Sequence, residues 1–242
     1  MRPIDVATDA VFQWIDAHLP ETPSRILEIG CGTGELAARL MQAGHNVIAI
    51  DSSEDCIRQA RDYGVDARVA TWPEFEADPF DIILFTRSLH HITPLEPALD
   101  RVHDMLKPDG KVIVEEFDFR AARHTEIAWL YGALNLLRAS GQLKPDADGM
   151  AANLLANKGD FATWKRPEDI HTIATILHAL VERFALTINE SQVFLFRYAI
   201  PLLPDDEVGH ELATALLDME TRLAETGGIA QIGRWFVGQR EN

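Results

Sequence analysis

Three glycines at alternate positions separate an aliphatic run from a helix-forming stretch in the segment ILEIGCGTGELAARL, residues 26–40. Glycine adopts positive φ in a tight turn and lets a ligand approach the backbone where a Cβ atom would collide. A buried strand that leads through such a loop into a helix presents bare backbone at the carboxyl edge of a parallel sheet, where ligands bind. Gly30, Gly32 and Gly34 are therefore predicted to form a ligand-binding loop.

The residues around this loop discriminate between possible ligands. A dinucleotide fingerprint needs Gly or Ala three positions after its second glycine, but Glu35 stands there and would face a pyrophosphate. No Gly-Lys-Ser/Thr follows, so a Walker-type phosphate loop is excluded. Glu28 suits a ligand with a positive group, and Asp51, about 20 residues beyond Gly30, can accept hydrogen bonds from ribose hydroxyls. The pattern predicts a nucleoside with a cationic tail, and a helix cap is the alternative role for Asp51.

Titratable side chains cluster after the fourth and fifth predicted strands. A neutral imidazole can accept a proton from a hydroxyl or amine near neutral pH, because the ordinary pKa of histidine is about 6.5. His91 is the predicted catalytic residue, whereas His90 is interpreted as a packed helix residue. No metal site is expected, because no third ligand accompanies this pair. The other candidates for assistance are Arg87, Glu115, Glu116 and Asp118.

Four motifs, ILEIGCGTGELAARL, AIDSS, FDIILFTRSLHHI and LKPDGKVIVEE, occur in the order and spacing of a known family. Across residues 25–116 the chain resembles the Rossmann-like (class I) S-adenosylmethionine-dependent methyltransferases. The resemblance implies that S-adenosyl-L-methionine is the cofactor and S-adenosyl-L-homocysteine the product. It also implies that the backbone of Gly30, Cys31, Gly32 and Gly34 contacts the methionine and ribose portions, that Glu28 orients the amino end, that Asp51 holds the ribose hydroxyls and that Ser52 borders the adenine.

The segment after the third strand departs from the family pattern. Many relatives carry an Asp there that accepts the adenine amino group, whereas this chain has Thr71 and Trp72. The Thr71 hydroxyl and the Trp72 backbone N–H can still reach the ring, and Trp72 is equally interpretable as a structural residue. Thr86 and Arg87, which follow the fourth strand, complete the predicted cofactor-binding residues.

The elements that must position these residues alternate between β-rich runs and amphipathic helical stretches, which is typical of parallel strands joined by crossover helices. The predicted strands are 25–29, 46–50, 66–70, 80–85 and 111–115, and the predicted helices are 35–43, 54–63 and 95–106. The strands are uniformly apolar, which indicates helices on both faces of the sheet. The prediction is an α/β fold with a doubly wound, mostly parallel sheet.

The second half of the chain is predicted to complete a single domain, 1–242. A helical cap, 117–165, follows strand 5; a sixth, parallel strand, 186–200, and a helical insert, 205–226, come next. The resemblance makes the last of seven strands, 229–238, antiparallel. Aromatic residues of the cap would line an apolar pocket over the methyl group or form the cap's own core; they are Phe117, Phe119, Trp129, Tyr131, Phe161 and Trp164.

Composition limits the partners and the compartment. The 242 residues carry 22 Lys and Arg against 38 Asp and Glu, and this net charge of −16 disfavours nucleic acid and anionic membranes. Asp5 and Asp9 interrupt a signal-peptide core, no apolar run has the length of a membrane span, and Cys31 and Cys56 lack disulfide or zinc spacing. We expect a cytoplasmic protein without a membrane partner, either monomeric or homodimeric.

Together these features predict methyl transfer from S-adenosylmethionine to a small organic acceptor, whose nucleophilic atom the sequence leaves open. A nicotinamide-dependent oxidoreductase is the first alternative, although Glu35 and the glycine spacing argue against it. A non-catalytic S-adenosylmethionine-binding module is the second. The sequence does not separate it from an enzyme, because these methyltransferases need no invariant catalytic residue.

Overall fold

A computed structural model describes residues 1–145, 149–164 and 169–240. The strands are β1 (Arg25–Ile29), β2 (Asn46–Asp51), β3 (Asp66–Val69), β4 (Phe80–Thr86), β5 (Leu106–Phe117), β6 (Ala185–Gln192) and β7 (Gly233–Gln239). The helices are α1 (Pro3–Asp16), α2 (Glu35–Gln42), α3 (Glu54–Asp62), α4 (Leu95–Met105), α5 (His124–Ala139), α6 (Met150–Ala156), α7 (Ile173–Val181) and α8 (Glu207–Glu225). Short 3-10 turns include Leu89–His91, Leu195–Tyr198 and Ile200–Leu202.

The strands form one seven-stranded sheet in the order β3-β2-β1-β4-β5-β7-β6. β1 pairs in parallel with both β2 and β4, and these pair in parallel with β3 and β5. The predicted α/β fold with a mostly parallel sheet and an antiparallel last strand is confirmed. This topology places the carboxyl ends of β1, β2 and β4 side by side, at the point where the strand order reverses.

Two residue sets alternate along the strands and make two cores, because successive side chains of a strand point to opposite faces. Leu27, Ile29 and Ile83 belong to one core, which also contains side chains of α4 and α7. Ile26 and Ile82 belong to the other, with side chains of α1, α2 and α3. β1, β2 and β4 therefore read as predicted, as strands covered on both faces, whereas in the edge strand β3 only Ala67 is buried.

Three predicted strand boundaries are wrong by four residues or more. The sixth strand ends at Gln192, and residues 195–202 form two 3-10 turns instead of its continuation to Ile200. The cause is the buried carboxylate of Glu220, which accepts the backbone N–H groups of three successive residues, Phe194, Leu195 and Phe196, at 2.7–2.8 Å. Amides that converge on one carboxylate cannot also form a strand ladder.

The fifth strand, in turn, begins earlier than predicted, at Leu106. Its register shifts between the partner pairs Phe80–Leu106 and Ile82–Lys111, so the predicted turn KPDG lies in an irregular part of β5. The last strand begins at Gly233 rather than Ile229.

The chain divides into two compact units. The sheet unit comprises residues 10–117, 169–190 and 234–240. The helical unit comprises residues 1–9, the described residues of 118–168, and 191–233. The single domain with a 117–165 cap and a 205–226 insert stays a prediction. Among the described residues, no helix combines the length and the apolar character that a membrane span requires.

Aromatic residues pack against one another within the helical unit. Trp164 stacks on Phe119 with ring centroids 5.2 Å apart, and the edge of Tyr198 meets Trp164 at 4.9 Å. His124 stacks on Phe161 at 4.0 Å. For Phe119 and Trp164 these contacts favour the second interpretation of the cap aromatics, in which they form the core of their own unit.

We expect Glu220→Ala to destabilise the helical unit by about 3 kcal/mol or more, because each buried donor left without a partner costs about 1–3 kcal/mol. Urea unfolding followed by circular dichroism measures this loss. Met219→Ala, at the exposed neighbouring position on α8, is the matched control and should change little. A loss below about 0.5 kcal/mol for Glu220→Ala would show that water satisfies these amides equally well.

Candidate functional site

The glycine loop is tied to the end of the neighbouring strand. The N–H groups of Gly30 and Cys31 both donate to the carbonyl of Ile50, at 2.8 and 3.1 Å. Gly34 has φ +84°, and a Cβ atom on it would lie 2.5 Å from the Cβ of Ala60, so this glycine lets α2 and α3 pack closely. A Cβ atom on Gly32 would meet nothing within 4 Å. Bare backbone at Gly32 therefore faces open space, as a ligand cradle requires.

Asp51 connects this loop to the next helix. Its Oδ2 accepts the N–H of Gly32 at 3.0 Å, and its Oδ1 accepts the N–H of Ser53 at 2.9 Å. The cap of α3 is Ser53, whose Oγ accepts the N–H of Cys56 at 3.3 Å. Asp51 is thus not the capping residue. Each carboxylate oxygen can accept more than one hydrogen bond, so hydroxyl groups of a ligand can bind to the same side chain.

A pocket of about 490 Å³ opens at the carboxyl ends of β1, β2 and β4. It brings together seven of the predicted site residues, namely Gly30, Asp51, Ser52, Thr71, Trp72, Arg87 and His91. The other predicted residues, Glu28, Cys31, Gly32, Gly34 and Thr86, do not line this pocket. Sequence reasoning missed Ser88, Ile92 and Thr93 on its wall. In the sequence, only their position next to Arg87 and His91 indicated that they could belong to the site.

Trp72 has a structural role as well as its place on the wall. Its side chain is buried in the core of the sheet unit, and its indole Nε1–H donates to the carbonyl of Ala98 at 3.0 Å. Thr71, in contrast, is exposed. The departure from the family pattern therefore places one exposed hydroxyl and one anchored indole after β3.

Glu28 lies beneath the loop. It is 1% exposed, its Oε1 accepts the Thr86 hydroxyl at 3.2 Å, and no described residue forms a hydrogen bond with its Oε2. Burial raises the pKa of Glu28 from the ordinary 4.5 to about 8, and the Thr86 hydrogen bond and the Arg87 charge offset this only in part. A positive charge placed nearby would favour the ionised form. These features fit a ligand with a cationic portion.

Cys31 is a packing residue of the loop. Its thiol is buried and contacts the carbonyl of Gly32 at 3.6 Å. Burial raises the pKa of this thiol, which disfavours the nucleophilic thiolate. Only its backbone remains a candidate for ligand contact.

Arg87 holds the end of β4 against the end of β5. Its backbone has φ +58°, its N–H donates to the carbonyl of Glu115 at 2.7 Å, and its Nη1 lies 2.6 Å from Glu115 Oε2. Because Glu115 is 1% exposed, this ion pair compensates a buried carboxylate. The guanidinium is partly exposed and lines the pocket.

His91 lies on the pocket wall, at the end of the 3-10 turn after β4. Burial lowers the pKa of His91, and a charge on His90 lowers it further. His91 is therefore neutral at pH 7 and able to accept a proton. His90 is 7% exposed and does not line the pocket, which agrees with its interpretation as a packed residue.

A family model described as a methyltransferase domain matches residues 7–162 of the chain. The chain belongs to the class I S-adenosylmethionine-dependent methyltransferase family. This match confirms the predicted family.

Individual relatives match part of the chain. A ubiquinone biosynthesis O-methyltransferase of Xylella fastidiosa is 30% identical over 47% of this chain and 50% of its own length. A demethylmenaquinone methyltransferase of Clavibacter sepedonicus is 32% identical over 42% of this chain and 44% of its own length. The chain thus spans about half the length of the curated relatives it matches.

Solved structures match most of the chain. An S-adenosylmethionine-dependent methyltransferase of Mesorhizobium loti superposes with a TM-score of 0.58 at 18% identity, covering 96% of this chain and all of that one. Magnesium protoporphyrin IX methyltransferase of Synechocystis superposes with a TM-score of 0.56 at 14% identity, covering 99% of this chain and 84% of that one. At such identities the likeness shows the fold alone.

The buried carboxyl of Glu28 makes stability depend on pH. In the folded chain this group keeps its proton up to about pH 8, whereas in the unfolded chain it loses it near pH 4.5. The wild type therefore loses stability as pH rises from 4.5 to 8, because its native state binds the additional proton. Glu28→Gln removes this loss.

We expect Glu28→Gln and the wild type to differ little in free energy of unfolding at pH 4.5. The variant should gain on the order of a few kcal/mol by pH 8. Urea unfolding at several pH values between 4.5 and 8 measures the difference. Glu74→Gln, at an exposed position, is the control. A difference that does not vary with pH would contradict the prediction.

Proposed function

We propose that this chain transfers the methyl group of S-adenosyl-L-methionine to a small organic acceptor. The observation that carries the proposal is the pocket at the carboxyl ends of β1, β2 and β4, which joins the glycine loop, Asp51 and His91. When bound, the cofactor supplies an electrophilic methyl group on a sulfonium. The residues of this chain would bind it, orient it and receive the proton that the acceptor loses.

The loop and Asp51 would hold the nucleoside part of the cofactor. The open space over Gly32 admits the ligand, and the carboxylate of Asp51 accepts the ribose hydroxyls. Ser52 and Thr71 would border the adenine, and Trp72 would support that wall from the core. The methionine end would lie toward Arg87 and above the buried Glu28, whose ionisation its ammonium group favours.

His91 would act on the acceptor side. Its neutral imidazole can take the proton of a hydroxyl or amine at the atom that receives the methyl group. Positioning of the two reactants would supply the rest of the barrier lowering, since holding them in a reactive geometry contributes about 7–11 kcal/mol.

The acceptor is proposed to be a small molecule of the quinone type, methylated on oxygen. One relative is named as an O-methyltransferase of ubiquinone biosynthesis and another as a demethylmenaquinone methyltransferase. Both names support a quinone-type acceptor, and the first supports transfer to oxygen. The net charge of −16 argues against nucleic acid. A cytoplasmic location and a monomeric or homodimeric state are part of the same proposal.

Turnover measured as S-adenosylhomocysteine formation tests the proposal. The acceptor panel should contain a catechol, a hydroquinone, an aliphatic amine and a thiol, and turnover is expected with the first two. Binding of S-adenosylhomocysteine without turnover on any acceptor would favour the non-catalytic module. A parallel calorimetric titration with NAD, for which no binding is expected, tests the nicotinamide alternative.

We expect Asp51→Asn to raise the Kd of S-adenosylhomocysteine roughly 10- to 150-fold, because a hydrogen bond to a charged group contributes about 1.5–3 kcal/mol. Isothermal titration calorimetry measures the change, and circular dichroism checks the fold. Asp55→Asn, on the exposed side of α3, is the matched control. An unchanged Kd would mean that Asp51 serves only to tie Gly32 and Ser53 together.

We expect His91→Ala to slow methyl transfer roughly 10²- to 10⁴-fold, with nearly unchanged affinity for S-adenosylhomocysteine. Wild-type kcat/KM should fall on the acid side, below the ordinary histidine pKa of 6.5, because burial lowers the pKa of His91. His178→Ala, at an exposed position on α7, is the control. A collapse of cofactor affinity together with activity would make His91 a structural residue.

A further inference from the structure

Glu116 and His90 form a buried pair that the proposed chemistry does not use. Glu116 is fully buried at the end of β5. One of its carboxylate oxygens accepts the backbone N–H of His90 at 3.1 Å, and the other lies 2.7 Å from the Nδ1 of the same residue. A single carboxylate therefore fixes both the main chain and the ring of His90.

The turn that carries His91 is also held from the segment before α7. The N–H of His171 donates to the carbonyl of His90 at 2.9 Å, and the His171 ring nitrogen Nε2 lies 2.9 Å from the carbonyl of Ile92. These contacts flank His91 on both sides in the sequence. Two elements, β5 and the segment before α7, thus determine where the turn places His91.

The ring of His90 lies against that of His91. The two ring centroids are 4.1 Å apart at an interplanar angle of 47°, and the edge of Phe117 meets the His90 ring at 5.2 Å. His90 is 7% exposed, whereas His91 reaches the pocket. The ring of His90 thus packs directly against the imidazole of His91, which lines the pocket.

We propose that His90, clamped by Glu116, is a positioning residue that fixes where the turn places His91 against the pocket. The proposal rests on the proposed function, in which His91 receives the proton of the acceptor. The Glu116–His90 contact sets the turn, and a charge on His90 lowers the pKa of the adjacent His91. His90 itself does not touch the reacting atoms.

The charged groups around His91 shift its pKa in both directions. Burial lowers the pKa of His91 first, and a charge on His90, in the same turn, lowers it next. Glu116 on β5 and Asp169 before α7 raise it. Arg87, at the end of β4, lines the same pocket. Removal of the His90 charge while Glu116 remains should therefore raise the pKa of His91.

His90→Asn is the variant that tests this inference, because the asparagine amide can donate to Glu116 but carries no charge. We expect the NMR titration of the His91 imidazole in the free protein to move to higher pH. The acid limb of kcat/KM should move with it, so that activity falls about tenfold at pH 6 and clearly less at pH 8. The affinity for S-adenosylhomocysteine should stay within about twofold of the wild type.

His45→Asn is the matched control. His45 is also a buried histidine of the sheet unit, and its Nδ1 accepts the backbone N–H of Ser24 at 3.1 Å. We expect no change in the titration of His91 or in the acid limb for this variant. His90→Gln, which keeps an amide donor on a longer side chain, should reproduce the effect of His90→Asn.

Two results would overturn the inference. The first is a uniform loss of activity at every pH with an unchanged His91 titration, which would give His90 a merely structural role. The second is loss of S-adenosylhomocysteine binding in both His90 variants, which would make His90 necessary for folding of the whole pocket. If the wild type methylates no acceptor, the proposed function fails, while the NMR titration still decides whether His90 sets the state of His91.

Discussion

Burial of carboxylates is the constraint on which the site depends. An ionised carboxylate in a protein interior needs a cation or several hydrogen-bond donors, since its desolvation is otherwise very costly. Three buried glutamates, Glu28, Glu115 and Glu116, lie near the carboxyl ends of β1 and β5. Arg87 forms an ion pair with Glu115, and the backbone N–H and the ring Nδ1 of His90 lie within hydrogen-bond distance of Glu116. The chain that follows β4 is therefore held at two points, Arg87 and His90, and His91 comes directly after the second.

Glu28 avoids the cost of a buried charge in a different way, by staying protonated. It receives one hydroxyl hydrogen bond and keeps its proton until the pH reaches about 8. A group in this state responds to charge placed near it, which a fully paired carboxylate does not do. The site thus combines two rigid, compensated carboxylates with one that a cationic ligand would ionise.

The helical unit uses carboxylates to shape its backbone. Glu220 accepts three successive N–H groups, and Glu126 accepts the N–H groups of Arg123 and Ala230 at 2.8 Å. The Glu220 contacts join residues 24–26 apart in the sequence, and the Glu126–Ala230 contact joins residues 104 apart. In this unit, single side chains thus accept backbone N–H groups that a helix or a strand ladder would otherwise satisfy.

The sequence by itself determined the sheet and the loop. Apolar runs such as RILEI and FDIILFT, the glycine spacing and the position of Asp51 are local patterns whose physical meaning does not depend on distant residues. They predicted a doubly wound, mostly parallel sheet, the ligand-binding edge and part of the pocket wall. The family resemblance added the cofactor, because four motifs in order are more specific than any one of them.

Tertiary structure decided the features that depend on contacts between distant residues. Residues 193–200 have a β-rich composition, but the carboxylate of Glu220 directs their amides into turns. Glu28 and Trp72 were predicted as cofactor-binding residues, and the folded chain buries both: Glu28 is 1% exposed, and the indole of Trp72 donates to the carbonyl of Ala98. Burial lowers the pKa of His91, and His90 and Glu116, which are 26 residues apart in the sequence, act on it in opposite directions. Burial and long-range charge arise only when the chain is folded, so no local pattern contains them.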